Sequence, residues 1–131
     1  MVVFLDTSAI YALDNAADAN HQRAVQWLRA AIDAGEDLLV HNYILVESSA
    51  LLHRRLGWAA VSRFLREASA FQLRWVDEAL HRSAAERFLK RKGRARLVDE
   101  VSFLVMREAG AHHALAFDQD FVREGFTLYP Q

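Results

Sequence analysis

Four carboxylates stand where charge is costly. Asp6 ends the apolar run Val2-Val3-Phe4-Leu5, and Asp118 follows Ala114-Leu115-Ala116-Phe117 in the same way. Such runs, rich in apolar, β-branched and aromatic residues, read as short strands buried on both faces. Glu47 falls three residues after Ile44 and four before Leu51, inside the apolar stripe of a helix rather than on its wet side. Asp99 lies in the first turn of a helix whose Val98, Val101, Phe103, Leu104, Val105 and Met106 cover nearly the whole circumference. Parallel strands end at one edge of their sheet, where open α/β folds place their ligands, so all four acids can converge there.

Converging carboxylates repel, and one of them holds a proton unless a cation neutralises the group. The chain has no cysteine, and His21, His41, His53, His81, His112 and His113 show no ligand spacing beyond the adjacent last pair. An oxygen-only donor set selects hard Mg²⁺ or Mn²⁺ over zinc. A water activated by such ions and aimed at phosphorus is the logic of phosphodiester cleavage, so the chemistry indicated is metal-dependent hydrolysis. Plainer roles exist for each acid: Asp6 and Asp118 as helix caps, Glu47 as the partner of an arginine such as Arg54, Asp99 as a first-turn charge favoured by the helix dipole. Asp120 is a stand-in for Asp118. Thr7 is polar support, Ser8 an N-cap, and Ser102, one turn after Asp99, either orients that carboxylate or bonds its own helix backbone. The dense basic stretch Lys90, Arg91, Lys92, Arg94 and Arg96 precedes the Asp99 helix; it is either a place for RNA phosphates beside the acids or a set of solvated cations favoured by the dipole of a helix C-terminus.

These residues need mounts. After the opening strand, a short helix runs from Ser8 to about Leu13, and an amphipathic one from His21 to Ala34 with Ala24, Val25, Leu28 and Ile32 on its stripe. Leu38-Leu39-Val40 is a second buried strand, followed by helices over Tyr43 to Leu56 and Trp58 to Ala70 with Gly57 between them. Phe71 to Val76 alternates like an edge strand, and Asp77 caps a helix to about Lys92. The Asp99 helix covers Val98 to Ala109; then come the strand Ala114 to Phe117, a brief helix at Phe121-Val122 and a last strand at Phe126 to Tyr129. The alternation predicts an α/β fold, three layers with a central parallel sheet of about five strands.

The totals set the outer limits. A chain of 131 residues is one domain over 1–131, long enough to bury about two-thirds of its unfolded surface. Its formal charge of -1 does not advertise a nucleic-acid binder, so any such contact is local. No stretch approaches the roughly 20 apolar residues of a membrane span, and the expectation is a soluble, cytoplasmic protein with no membrane partner. Hydrophobic residues at 53% are a high load for this size, and part of that surface is expected to meet a partner or a second copy. Trp58, Phe64, Phe71 and Trp75 fit core or dimer contacts better than base-stacking platforms.

Phe4-Leu5-Asp6-Thr7-Ser8, Leu45-Val46-Glu47-Ser48, Leu97-Val98-Asp99-Glu100-Val101-Ser102-Phe103, and Ala114 to Asp118 through Gly125-Phe126 together resemble the PIN-domain ribonucleases, above all the VapC toxins. The resemblance implies a PIN fold, Mg²⁺- or Mn²⁺-dependent endoribonuclease activity, RNA as substrate, a small VapB-like antitoxin as partner, and a homodimer packed through the early helices. By motif position Asp6, Glu47, Asp99 and Asp118 take the catalytic and metal-holding roles, with Thr7 and Ser102 in support. Two places depart from the pattern: Glu100 stands where a small residue is usual, and Gln119-Asp120 where a basic residue and His are common. An extra acid at either place is a candidate ligand. A receiver-like module phosphorylated on Asp77 or Asp6 remains the reading from another class, although no strand-end lysine accompanies it; a PIN-like scaffold that binds RNA or protein without cutting is a third. For a phosphatase with an Asp nucleophile, the acid expected two residues later is Ser8.

Overall fold

A computed structural model describes all of residues 1–131. In chain order the elements are β1 (Val2–Leu5), α1 (Thr7–Asp14), α2 (His21–Asp33), β2 (Asp37–His41), α3 (Asn42–Leu56), α4 (Trp58–Glu67), β3 (Gln72–Arg74), α5 (Glu78–Lys90), α6 (Leu97–Ala109), β4 (His113–Leu115), α7 (Asp120–Arg123) and β5 (Thr127–Leu128). The five strands form one sheet in the order β3-β2-β1-β4-β5. Every neighbouring pair is parallel. The fold is therefore the expected α/β one, a parallel sheet covered by helices, and β3 is an edge strand as its alternation predicts.

β1 occupies the centre because Val3, Phe4 and Leu5 leave no surface exposed and need helices on both faces. From β1 the chain winds outward through β2 to β3, then returns to lay β4 on the other side of β1. The strand order reverses between β1 and β4, and the crevice beyond the ends of those two strands is where such sheets bind ligands. Asp6 follows one of them and Asp118 follows the other.

Where the elements differ from expectation, side chains have taken over backbone partners. β4 stops at Leu115 rather than Phe117, because the Phe117 N–H donates to Ser8 Oγ at 3.0 Å instead of to a neighbouring strand. β3 is shorter than Phe71–Val76, and the Val76 N–H donates to Asn42 Oδ1. α4 ends at Glu67 and tightens into a 3₁₀ turn over Ala68–Ala70. Gly57, at φ 93°, lets α3 stop and α4 start within one residue, a backbone conformation that a side chain strains.

Candidate active site

Asp6 sits at the N-cap of α1 in extended conformation, immediately after the buried strand. Its Oδ2 accepts the Ser8 N–H at 3.1 Å and the Ser8 hydroxyl at 2.6 Å. Ser8 Oγ in turn accepts the Phe117 N–H, so one hydroxyl ties the Asp6 carboxylate to the chain leaving β4. The other oxygen, Oδ1, is buried without a partner. Burial lifts the Asp6 carboxyl to about 6, against the two Ser8 hydrogen bonds that pull it down. Thr7, also buried, accepts a hydrogen bond from Ser48 Oγ at 3.1 Å, which joins α1 to the helix that carries Glu47.

Asp99 is fully buried in the first turn of α6. Arg96, three residues before it, reaches over both of its oxygens: Nε lies 3.2 Å from Oδ2 and Nη2 3.3 Å from Oδ1. The same guanidinium donates through Nη1 to Glu47 Oε2 at 2.9 Å. Glu47 thus faces the acids, and its arginine partner is Arg96 rather than Arg54. Burial raises the Asp99 carboxyl above its ordinary value while Arg96 opposes the rise and Asp118 adds to it. Glu47 Oε1, like Asp6 Oδ1, is buried without a partner.

Asp118, three residues beyond β4, accepts the Asp120 N–H through Oδ1 at 2.9 Å. Asp99, Asp118 and Asp120 each offer a carboxylate oxygen within 4.8 Å of the others. Asp6, Thr7, Ser8, Glu47, Arg54, Arg96 and Asp118 line one cleft of about 440 Å³ at the end of the sheet. Asp6, Glu47 and Asp118 thus meet around a single opening, while Asp99 is joined to it through Arg96 and through its nearness to Asp118 and Asp120. A divalent cation fits this place: the donors are all oxygens, two of them are buried with nothing to bond, and the negative charge exceeds the one arginine that meets it. Such a site calls for metal-assisted chemistry on an anionic substrate.

The PIN domain profile matches residues 3–126. The chain belongs to the PIN family. This PIN domain is 34% identical over 129 residues to the 23S rRNA-specific endonuclease VapC20 of Mycobacterium tuberculosis, in both the CDC 1551 and H37Rv strains, with 96% of each chain covered. It is similar to the crystal structure of that bacterium's VapC20, described as a sarcin-ricin loop cleaving toxin, with a TM-score of 0.83 at 32% identity over 97% of both chains. PAE2754 from Pyrobaculum aerophilum shares the fold, with a TM-score of 0.62 at 21% identity over 98% of this chain and 92% of that one. The likeness to a VapC toxin runs the length of the chain, in agreement with the resemblance read from its motifs.

Other expected residues of the PIN domain are placed elsewhere. Glu100 is fully buried and faces the C-terminal end of α5, where Arg87 Nε lies 3.2 Å from Oε1 and Arg91, just past that helix, has Nε 3.5 Å from Oε2, so its charge is met by arginines rather than by the cleft. Ser102 does not touch Asp99. Its hydroxyl donates to the Val98 carbonyl at 3.0 Å, the ordinary bond of a helical serine, and meets His41 Nε2 at 2.9 Å. His41 Nδ1 accepts the Ile44 N–H, so the ring carries its proton on Nε2 and caps α3, the helix of Glu47. The basic stretch divides: Arg91 pairs with Glu100 and Glu124, Arg96 with the acidic cleft, and only Lys90, Lys92 and Arg94 point into solvent without an ion pair. The part played by Arg96 was open to sequence reading through its i,i+3 spacing from Asp99; that of His41 was not, since histidine is no usual cap.

Proposed function

We propose that this PIN domain is a metal-dependent endoribonuclease, the toxin of a VapBC-type pair, with Asp6, Glu47, Asp99 and Asp118 as its catalytic and metal-holding residues. The observation that carries the reading is the cleft at the β1/β4 reversal: Asp6, Glu47 and Asp118 line it, two of them with buried oxygens that lack any partner, and Asp99 is tied to it through Arg96, in a chain similar throughout to an RNA endonuclease. Mg²⁺ or Mn²⁺ held there would polarise the phosphodiester and lower the pKa of an attacking water. Asp6 is held by Ser8 in one rotamer at the centre, Asp99 and Asp118 offer oxygens to the same volume, and Glu47 closes it from α3. Asp120 supplements Asp118. Arg54 lines the cleft with no ion pair and is the cation best placed for the phosphate next to the cleaved one. Lys90, Lys92 and Arg94 extend the basic path along the backbone.

The likeness to VapC20 makes the sarcin-ricin loop of 23S rRNA the first substrate to offer. A VapB-like antitoxin and a second copy of the chain are the partners that the exposed apolar side chains support, and the cytoplasm is the place of action. The decisive assay incubates a sarcin-ricin hairpin and an unrelated structured RNA with the protein, with and without Mn²⁺. Metal-dependent cleavage by the wild type and none by Asp6→Asn is expected; equal cleavage by both proteins, or none with metal, defeats the assignment. Cleavage of both RNAs alike would keep the chemistry and remove the ribosomal target.

A further inference from the structure

We infer that Arg96 is the resident counter-cation of the acidic cleft, and that a divalent ion enters only in exchange for it. The inference rests on the metal-holding role proposed above and concerns a residue which that role does not use. One guanidinium occupies both oxygens of Asp99 and one oxygen of Glu47, two acids carried on different helices, at 3.2, 3.3 and 2.9 Å. Asp6 adds to the field of Asp99 and Glu47 that holds it. Yet it satisfies the cluster only in part, since Asp6 Oδ1 and Glu47 Oε1 remain bare. A divalent ion with several oxygen ligands neutralises more charge and reaches more of these atoms than a planar fork can.

The two cations exclude each other. The Asp99 oxygens that would bond the ion are those that accept from Arg96, and a guanidinium within hydrogen-bond distance of the same carboxylate repels a dication strongly in a cleft of low dielectric. Mobility decides which partner yields. Asp99 is fully buried on a packed helix, whereas the Arg96 side chain is 59% exposed and lines the mouth of the cleft, so it can swing into water without disturbing the core. The metal-free cleft is thus kept from the full repulsion of its acids at the expense of metal affinity.

The test is a Mn²⁺ titration of the folded protein, read by the paramagnetic signal of free ion, on the wild type, Arg96→Gln and Arg96→Lys. Arg96→Gln should bind Mn²⁺ about tenfold tighter than the wild type, because removing one ligand of a mutually exclusive pair strengthens the other. Arg96→Lys should fall between them, since it keeps the charge and loses the fork. Equal or weaker binding by Arg96→Gln, with a native circular dichroism spectrum, overturns the inference. Should that variant fail to fold, the wild type still decides. The Arg96 Nε–H resonance, followed while Mg²⁺ is added, should lose its protection and shift; an unmoved resonance at saturating Mg²⁺ overturns the exchange. If neither wild type nor variants bind any divalent ion, the metal-holding reading itself fails, and the exchange with it.

Discussion

Among single residues, two buried groups pull stability in opposite directions as pH changes. Asp6 titrates near 6 in the folded chain against 3.8 ordinarily, so it contributes stability below about pH 4 and loses it as pH rises through 6, a loss of about 3 kcal/mol at neutral pH. His41 is held neutral by burial, at about 3 against 6.5; the unfolded chain takes its proton first, and stability falls as pH drops below 6.5, by about 1.4 kcal/mol per unit. Between pH 4 and 6 these two contributions nearly cancel. In EDTA, Asp6→Asn should melt higher than the wild type at pH 7 and lose stability more steeply than it does on acidification from pH 6 to 4. A parallel pair of curves would refute the assignment of burial as the dominant cause. The same substitution should abolish RNA cleavage, as the metal-holding role proposed for Asp6 requires. Asp6 was legible in sequence as a charge after a buried strand, and its raised pKa follows from that position. The unpaired oxygen was not, because it depends on where Ser8 points.

At the scale of elements, the acidic cleft depends on joints between segments far apart in sequence. Ser8 spans 109 residues to reach Phe117, bonding Asp6 on one side and the chain leaving β4 on the other. Ser8→Ala removes the acceptor of Phe117 N–H and the shortest bond to Asp6 together; it should cost about 1–2 kcal/mol in denaturant unfolding and weaken Mn²⁺ binding, whereas a capping role alone would affect only stability. Glu100 serves a different joint. It and Glu124 gather Arg87 of α5, Arg91 just past its end and Arg107 of α6 into one ionic cluster that ties α5 and α6 to the chain leaving α7. Arg87 and Arg91 keep about a third of their side-chain surface in water, so Glu100→Gln should cost about 1–3 kcal/mol, below the 3–5 of a fully buried pair, and leave Mn²⁺ affinity unchanged. A fall in metal affinity in that variant would return Glu100 to the ligand set. Element type and order were readable in the hydrophobic periods, because β1, β2 and β4 coincide with short apolar runs, β3 alternates and most of the helices carry a stripe. The direction of Glu100 was not, since in a helix buried all round the pattern marks no preferred face for a charge.

For the whole molecule, the apolar excess that composition announces lies partly on the surface. Ile32, Trp58 and Leu65 are 59%, 73% and 52% exposed, and Trp58 and Leu65, seven residues apart on α4, lie along one line of that helix. No helix is long and apolar enough to cross a membrane, so a bilayer-spanning helix does not account for them. Phe64, between them in sequence, is buried at 4% exposure, and the helix therefore has a core face and a separate apolar stripe that is left open. A monomer gains nothing from that second stripe. A stable interface removes about 1,200–2,000 Å² from water, and a stripe shared across a two-fold axis doubles each exposed side chain's contribution. Light scattering on the isolated chain should therefore give about twice 14.9 kDa, falling toward the monomer on dilution. Leu65→Glu should shift that equilibrium to the monomer without loss of helical signal or Mn²⁺ binding, because it lies outside the acidic cleft. A wild type that stays monomeric at tens of micromolar would assign the α4 stripe to the antitoxin instead, and Leu65→Glu would then abolish capture by that partner while leaving RNA cleavage intact.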